Sequence, residues 1–354
     1  MKKSVLSMIC ILILAAVMLS GCKKKTEEIQ DAGYIPAPVL QEIDPGNAKV
    51  GICIYRLEDD YMSIYSSELV RYLVEEVGFS KENIALLDGA NSQTTQNEQI
   101  GRCVSAGANL MIVNPVDPFA APEITERVIG AGIPLIYINR EPALEEQQRW
   151  GDNYWPVTYV GTDARQAGTM QGQILVDLGL YDVDLNHNGQ IEYVMITGDL
   201  DSESTQYRTE FSIKAIEDAG MGVECLDQQV ASGDRLWAKQ IIATDLEQFG
   251  SQIEVVLCNN DTMALGAMEA IEEAGRVVNE DIFLVGIDAL PEALEALMEG
   301  RITGTVLQDQ FAQAEAAGKA AANFLQADRN EYHITCDYVK VMPGNAPTIL
   351  SRMQ

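Results

Sequence analysis

From Lys49 onward the chain alternates short, β-branched strand-like runs with helical stretches, and that alternation confines it to a narrow set of α/β folds. Strand-like runs are KVGICIY (49–55), NIALLDG (83–89), NLMIVNP (109–115), PLIYINR (134–140), VTYVGTD (157–163), IEYVMITG (191–198), a short run near 223–227, IEVVLCNN (253–260), IFLVGID (282–288) and GTVLQD (304–309). Apolar residues at helical spacing predict helices over 64–78, 96–107, 123–132, 164–179, 208–220, 235–248, 262–275, 291–299 and 310–326, while 141–156 shows neither period. Strands spaced by helices of this length pair in parallel through right-handed crossovers.

Several of these strands end in a polar residue: Asn114, Asn139, Asn259, Asn260 and Asp288. In open parallel sheets ligands bind beyond the carboxyl ends of the strands, so polar ends in both halves of the chain favour a shared cleft over turn chemistry. No GxGxxG follows the first strand and no GxxxxGK[ST] occurs, so a nucleotide cofactor is not indicated.

The run DLNHNGQIE (184–192) carries oxygen-bearing side chains at Asp184, Asn186, Asn188 and Glu192, with Gly189 at the bend and the Gln190 carbonyl after it. That is the opening of a calcium loop, with ligands at positions 1, 3, 5, 7 and 9 and glycine at 6. Position 12 is Met195 in place of the expected bidentate Glu, so the missing carboxylate must come from elsewhere; the alternative is a plain Asn/Gly surface turn.

The ends and the balance of charge set the compartment. Lys2 and Lys3 precede an apolar run from Val5 to Leu19, followed by Ser20-Gly21-Cys22, the pattern of a secretory signal. The run is short for a membrane span. Residues 1–21 are expected to be removed as a lipoprotein signal peptide, with Cys22 as the lipidated first residue and 22–47 as a flexible linker. Loss of two lysines and no acids takes the net charge from −29 to −31. So acidic a chain is repelled by nucleic acid. Cys53, Cys103, Cys225, Cys258 and Cys336 remain, an odd number without ligand spacing, and read as core thiols. With His187 and His333 the sole histidines, a histidine-based catalytic or zinc site is not expected.

The segments GICIYRLEDDYMS (51–63), VNPVDP (113–118), NREP (139–142), YVGTD (159–163), DLNHNGQIE, IEVVLCNNDTMALGAMEA (253–270) and GIDALPEAL (286–294), in order and spacing, resemble the galactose/glucose-binding members of the ribose-binding-protein family. The resemblance runs from about Val50 to Val341. It implies a type I periplasmic binding protein: two doubly wound parallel-sheet lobes joined by a three-strand hinge, residues 48–133 with 309–338 forming the N-terminal lobe and 134–308 with 339–354 the C-terminal lobe. It further implies a monomer without enzymatic activity that hands a monosaccharide to an ABC importer permease from the outer face of the membrane. Carried over by position, Asp59, Asn114, Arg208, Asn260 and Asp288 would hydrogen-bond the sugar, and Tyr61 and Trp237 would cover its two faces, although each aromatic also reads as surface or helix packing. Glu254 would supply the missing calcium ligand. In the sugar site Tyr61 stands for a Phe, Gln308 for an Asn, and Ser202 and Ser204 stand where a His and an Asp are expected, which leaves the choice among galactose, glucose, a pentose or another sugar open; in the loop Asn188 stands for an Asp and Glu192 for a Gln. A sugar sensor feeding a membrane receptor would share every pocket residue.

Overall fold

The computed structural model describes residues 35–353. The expected signal peptide, Cys22 and the first part of the linker lie outside the described residues. The rest of the linker is not a free tether. Leu40 and Ile43 pack on the first lobe's core, and the Ile43 amide donates to the Leu325 carbonyl at 2.8 Å.

Twelve strands are named among the described residues, and ten of them form two parallel sheets. The first sheet is ordered β2 (Ile84–Asp88), β1 (Val50–Ile54), β3 (Leu110–Val113), β4 (Leu135–Ile138), β5 (Val157–Thr162) and β11 (His333–Cys336). The second is β7 (Gly222–Val230), β6 (Gln190–Thr197), β8 (Val255–Cys258) and β9 (Phe283–Val285). A parallel bridge from Val285 to Gly304 extends it to β10 (Thr305–Leu307), which pairs antiparallel with β12 (Val339–Val341). The doubly wound α/β fold expected from the alternation is therefore present. The expected lobe boundary at 133/134 is corrected: β4 pairs with β3 and β5 with β4 in register, so the chain leaves the first lobe only after Thr162. Three connections join the lobes, after Thr162, between Leu307 and Gln310, and between Cys336 and Val339.

Eleven helices of six or more residues cover the sheets: α1 (Asp60–Tyr72), α2 (Gln93–Ser105), α3 (Ala121–Gly130), α4 (Leu144–Asp152), α5 (Ala164–Leu178), α6 (Glu203–Asp218), α7 (Arg235–Phe249), α8 (Asp261–Glu273), α9 (Pro291–Met298), α10 (Gln310–Leu325) and α11 (Ala346–Ser351). Several begin earlier than apolar spacing predicts, α1 and α6 by the most. Asp59 caps α1 by accepting from the Met62 amide at 2.9 Å, and α6 starts at Glu203, whose charge suits a helix N-terminus. Helix α4, in the stretch without a period, is held by tertiary packing. Trp150 stacks on Tyr137 with ring centroids 5.4 Å apart, and its indole donates to Glu146 at 2.7 Å.

The first core joins Ile52, Leu110 and Ile136 of the sheet to Tyr65 and Leu69 of α1 and to Phe324 of α10. In the second lobe alternate strand residues face opposite layers. Val194, Val256 and Leu284 meet Ile242, Met268 and Leu297, while Met195, Leu257 and Val285 meet Ile174 and Ile216. Cys53, Cys103, Cys258 and Cys336 are buried as expected, whereas Cys225 on the edge strand is exposed; all five are free.

One buried acid ties this lobe together. The Asp261 carboxylate accepts from the Thr305 hydroxyl at 2.7 Å and the Leu290 amide at 2.9 Å. Burial pushes its carboxyl up to about 7, against the pull of those donors. A carboxyl that holds its proton more tightly folded than unfolded contributes most below the unfolded value and loses that contribution as pH rises through 7. Thermal or urea unfolding is expected to show stability falling between about pH 4 and 7 and levelling off above that. Asp261→Asn should flatten that fall by roughly 2 kcal/mol.

Candidate sugar-binding cleft and calcium loop

Between the lobes lies a cavity of about 240 Å³. Pockets for drug-sized ligands run to about 300–1,000 Å³, so this one suits a single small ring. The first lobe lines it with the turn after β1, including Asp59 and Tyr61, and the second with Gly233, Asn260 and Asp288. Local structure brings these groups there. Asp59, Asp234 and Asn260 are the N-caps of α1, α7 and α8, so three helix starts converge on one space. The lobes also touch at its rim: the Thr262 hydroxyl donates to Asp60 at 2.7 Å, and Ile64 of α1 packs on the second lobe's core.

Asp288 and Arg208 form the buried electrostatic centre of the cleft. Asp288 follows β9 with φ at 114° and is 7% exposed. Burial pushes its carboxyl well above the usual range, opposed by the Arg208 guanidinium 3.6 Å away. Its Oδ1 has no hydrogen-bond partner among the described residues. Arg208 is held in place by donating to the Asn259 carbonyl at 2.8 Å, to Gln308 Oε1 at 2.7 Å and to the Tyr338 hydroxyl at 3.4 Å. Its height on α6 follows from glycine. A Cβ on Gly168 of α5 would lie 2.7 Å from the Arg208 carbonyl oxygen, and one on Gly172 would overlap the Ser212 carbonyl, so only glycines let the two helices meet here.

The residues expected for the sugar fall into three groups. Asp59, Tyr61, Asn260 and Asp288 line the cavity. Arg208 and Gln308 stand behind Asp288. Asn114 is fully buried, donating to Asn139 Oδ1 at 3.2 Å while its own Oδ1 lacks a partner. Ser202, Ser204 and Trp237 are not brought to the cavity. Ser202 precedes α6 and Ser204 is exposed on its first turn. Trp237 is 52% exposed, and its indole donates to the Val230 carbonyl at 3.1 Å beside a separate surface depression. Trp237, expected as the second wall of the cleft, is not among the residues that line this cavity; Gly233 and Asp234 of the preceding turn are. Sequence reading missed Arg56, Gly233 and Thr262 at the cavity and Tyr338 behind it. Gly233 and Tyr338 carry no motif, while Arg56 and Thr262 lie inside the quoted segments.

The 184–192 loop closes on itself and on Glu254. Asp184 accepts from the Asn188 and Gly189 amides at 3.1 and 2.8 Å, and Glu192 accepts from the side chains of Asn186 and Asn188 at 3.0 and 2.6 Å. Asn188 Oδ1 accepts from the Gln190 amide at 2.8 Å. Glu254 accepts from the amides of Asn186 and Glu192 at 3.0 and 3.1 Å. Burial, and to a lesser degree the Glu192 carboxylate, push the Glu254 carboxyl up to about 7. Asp184, Glu192 and Glu254 are all buried, and no basic side chain pairs with any of them among the described residues. Among the described residues these carboxylates are not drawn together into a ready metal cluster; in residue type, carboxylates with amide oxygens are what a hard divalent ion takes.

Comparison with known proteins agrees with this architecture. The model of the periplasmic binding protein domain matches residues 50–329. The D-galactose/methyl-galactoside binding periplasmic protein of Haemophilus influenzae is 31% identical over 281 residues, covering 78% of this chain and 82% of that protein. A putative rhizopine-binding protein of Rhizobium meliloti is 28% identical, over 74% of this chain and 81% of its own length. Among solved structures, an ABC transporter solute-binding protein of Bacillus halodurans with bound myo-inositol is 29% identical, with a TM-score of 0.73, covering 87% of this chain and 99% of that one. These relatives are transport proteins and not enzymes, and no helix among the described residues is long and apolar enough to cross a membrane. The chain belongs to the periplasmic binding protein family, as a non-enzymatic solute-binding protein of the type I fold.

Proposed function

We propose that the protein captures one monosaccharide of galactose or glucose size in the interlobe cavity and delivers it to the permease of an ABC importer. The observation that carries this reading is Asp288. A buried carboxylate oxygen without a hydrogen-bond partner, on a residue that lines a ring-sized cavity, is a desolvation penalty that a ligand hydroxyl relieves. Arg208, 3.6 Å away, opposes the burial that raises the Asp288 carboxyl and so favours its charged form, and charge-assisted hydrogen bonds are the strong ones. Tyr61 offers a flat apolar face to the C–H side of a pyranose. The galactose named for the Haemophilus relative and the myo-inositol bound by the Bacillus protein support a six-membered polyol ring. A ligand held by both lobes shifts the population toward the closed arrangement, which a permease can distinguish from the open one. In this reading the protein acts as a monomer tethered through lipidated Cys22.

Titration calorimetry tests it. D-galactose or D-glucose is expected to bind with Kd at or below about 1 μM, close to −8 kcal/mol. Asp288→Asn should weaken that binding about 10- to 100-fold, the loss of one charge-assisted bond. Absence of heat with both sugars sinks the galactose/glucose assignment.

We further infer that Asp184, Asn186, Asn188, Glu192, Glu254 and the Gln190 carbonyl hold Ca²⁺. The ion would neutralise three buried carboxylates and clamp the start of β6 to the residue preceding β8. Chelation is expected to lower the melting temperature, and added Ca²⁺ to restore it. An Asp184→Asn variant should melt low and respond little to either treatment. Identical melting curves with chelator and with Ca²⁺ would contradict the assignment.

A further inference from the structure

We infer that Cys53 of β1 and Cys103 of α2 are a redox pair that closes to a disulfide and staples the helix to the strand. Both thiols are free in the structure, Cys53 fully buried and Cys103 8% exposed. A disulfide needs Cα atoms within about 4.4–6.8 Å, closer than side chains usually let a helix approach a sheet. Gly51 removes that obstacle. A Cβ on it would lie 2.8 Å from Cys103 Sγ and 3.0 Å from Cys103 Cβ, so the helix comes down on the strand where another residue would hold it off. Gly51 and Cys53 are two apart on β1 and therefore face the same layer. The Cys53 and Cys103 thiols accordingly hydrogen-bond to each other.

The two sulfurs are not equivalent. The hydrogen bond from Cys53 holds the Cys103 thiol below its ordinary value, opposed by burial and helped by the Arg102 cation. That bond and burial raise the Cys53 thiol. Cys103 is thus the thiolate that attacks, and it is the one with some surface exposed. The oxidant is a small disulfide. Cys103 Sγ attacks one of its sulfurs, the oxidant's S–S bond breaks, and one half leaves as a thiolate that takes up a proton. Cys53 then gives its proton to solvent and attacks Cys103 Sγ, expelling the second half, which is protonated in turn. The protein loses two protons and two electrons, and the oxidant gains them as two free thiols. The bond fixes α2 against β1 beside Asn114, whose amide donates to the Cys53 carbonyl at 2.9 Å and whose carbonyl accepts from Gln96 of α2 at 2.8 Å.

Oxidised 2-mercaptoethanol is the probe, because it is small and uncharged and so strongly acidic a protein repels anionic disulfides. After incubation the remaining thiols are alkylated and the peptides mapped without reduction. The peptides carrying Cys53 and Cys103 are expected to be joined, and to be freed by dithiothreitol. The oxidised protein should melt above the reduced one, since a bond closing a loop of about fifty residues restrains the unfolded chain. Cys103→Ser should abolish both the join and the rise. Exposed Cys225, recovered as its mixed disulfide, reports that the oxidant reacted. A second sample, refolded from urea in the same oxidant, removes any dependence on access to buried sulfur. Cys53 and Cys103 alkylated separately in both samples, Cys103 halted at the mixed disulfide, or either joined to another cysteine would overturn the pair. A join that leaves the melting temperature unchanged would overturn the staple.

Discussion

A guanidinium buried beside a carboxylate must be paired and fully hydrogen-bonded, or the pair destabilises the fold. Arg208 meets most of that condition: its terminal nitrogens reach the Asn259 carbonyl, Gln308 and Tyr338, which belong to three different segments, while its Nε has no hydrogen-bond partner among the described residues. Much of the cleft is organised around this requirement. Gln308 lies on the second connection between the lobes and Tyr338 on the third, and Tyr338 also accepts from Thr162 at the first, at 2.9 Å. The cation therefore sits at the point where all three interlobe connections pass. Its carboxylate partner, Asp288, is left with an oxygen that has no hydrogen-bond partner among the described residues. The electrostatic centre of the site and the hinge are one network.

That network depends on close helix packing remote from any ligand. Gly168 and Gly172 remove the side chains that would hold α6 away from α5, and Gln171 between them donates to the Cys258 and Val285 carbonyls at 2.8 and 3.0 Å. One turn of α5 thus sets the height of Arg208 and braces the ends of β8 and β9, the strands that deliver Asn260 and Asp288. Sheet twist and strand order do the rest. The polar strand ends of a parallel sheet gather at one edge, and two such edges facing each other make the cavity.

Much of this was legible in the chain. The strand-like runs, the polar residues that end them and the helices from α5 to α10 appear where apolar period and turn residues place them, give or take a few residues. Boundaries failed where polar residues open a helix ahead of its apolar period, as at Asp59, whose side chain caps α1, and at Glu203, which begins α6. Helix α4 was illegible since Trp150 and Tyr137, close together only in the fold, hold it. Strands β11 and β12 are largely exposed, so no apolar run marks them, whereas β9 and β10, equally short, are wholly buried. Trp237 misled because an aromatic near the right sequence position says nothing of which way a helix turns it.

What the sequence by itself determined is local and additive: the α/β class, the polar strand ends, the oxygen-rich loop with its glycine, and the acidic charge. Each follows from residue type and spacing within one segment. Tertiary structure alone decided the lobe boundary beyond Thr162, the packing of Leu40 and Ile43, the partners of Arg208, and the place of Gly233 at the cavity. Those depend on which strand pairs with which and how helices rotate as they pack. Such choices are settled by contacts between residues up to some two hundred positions apart, as Thr262 and Asp60 illustrate, and no single stretch of the chain encodes them.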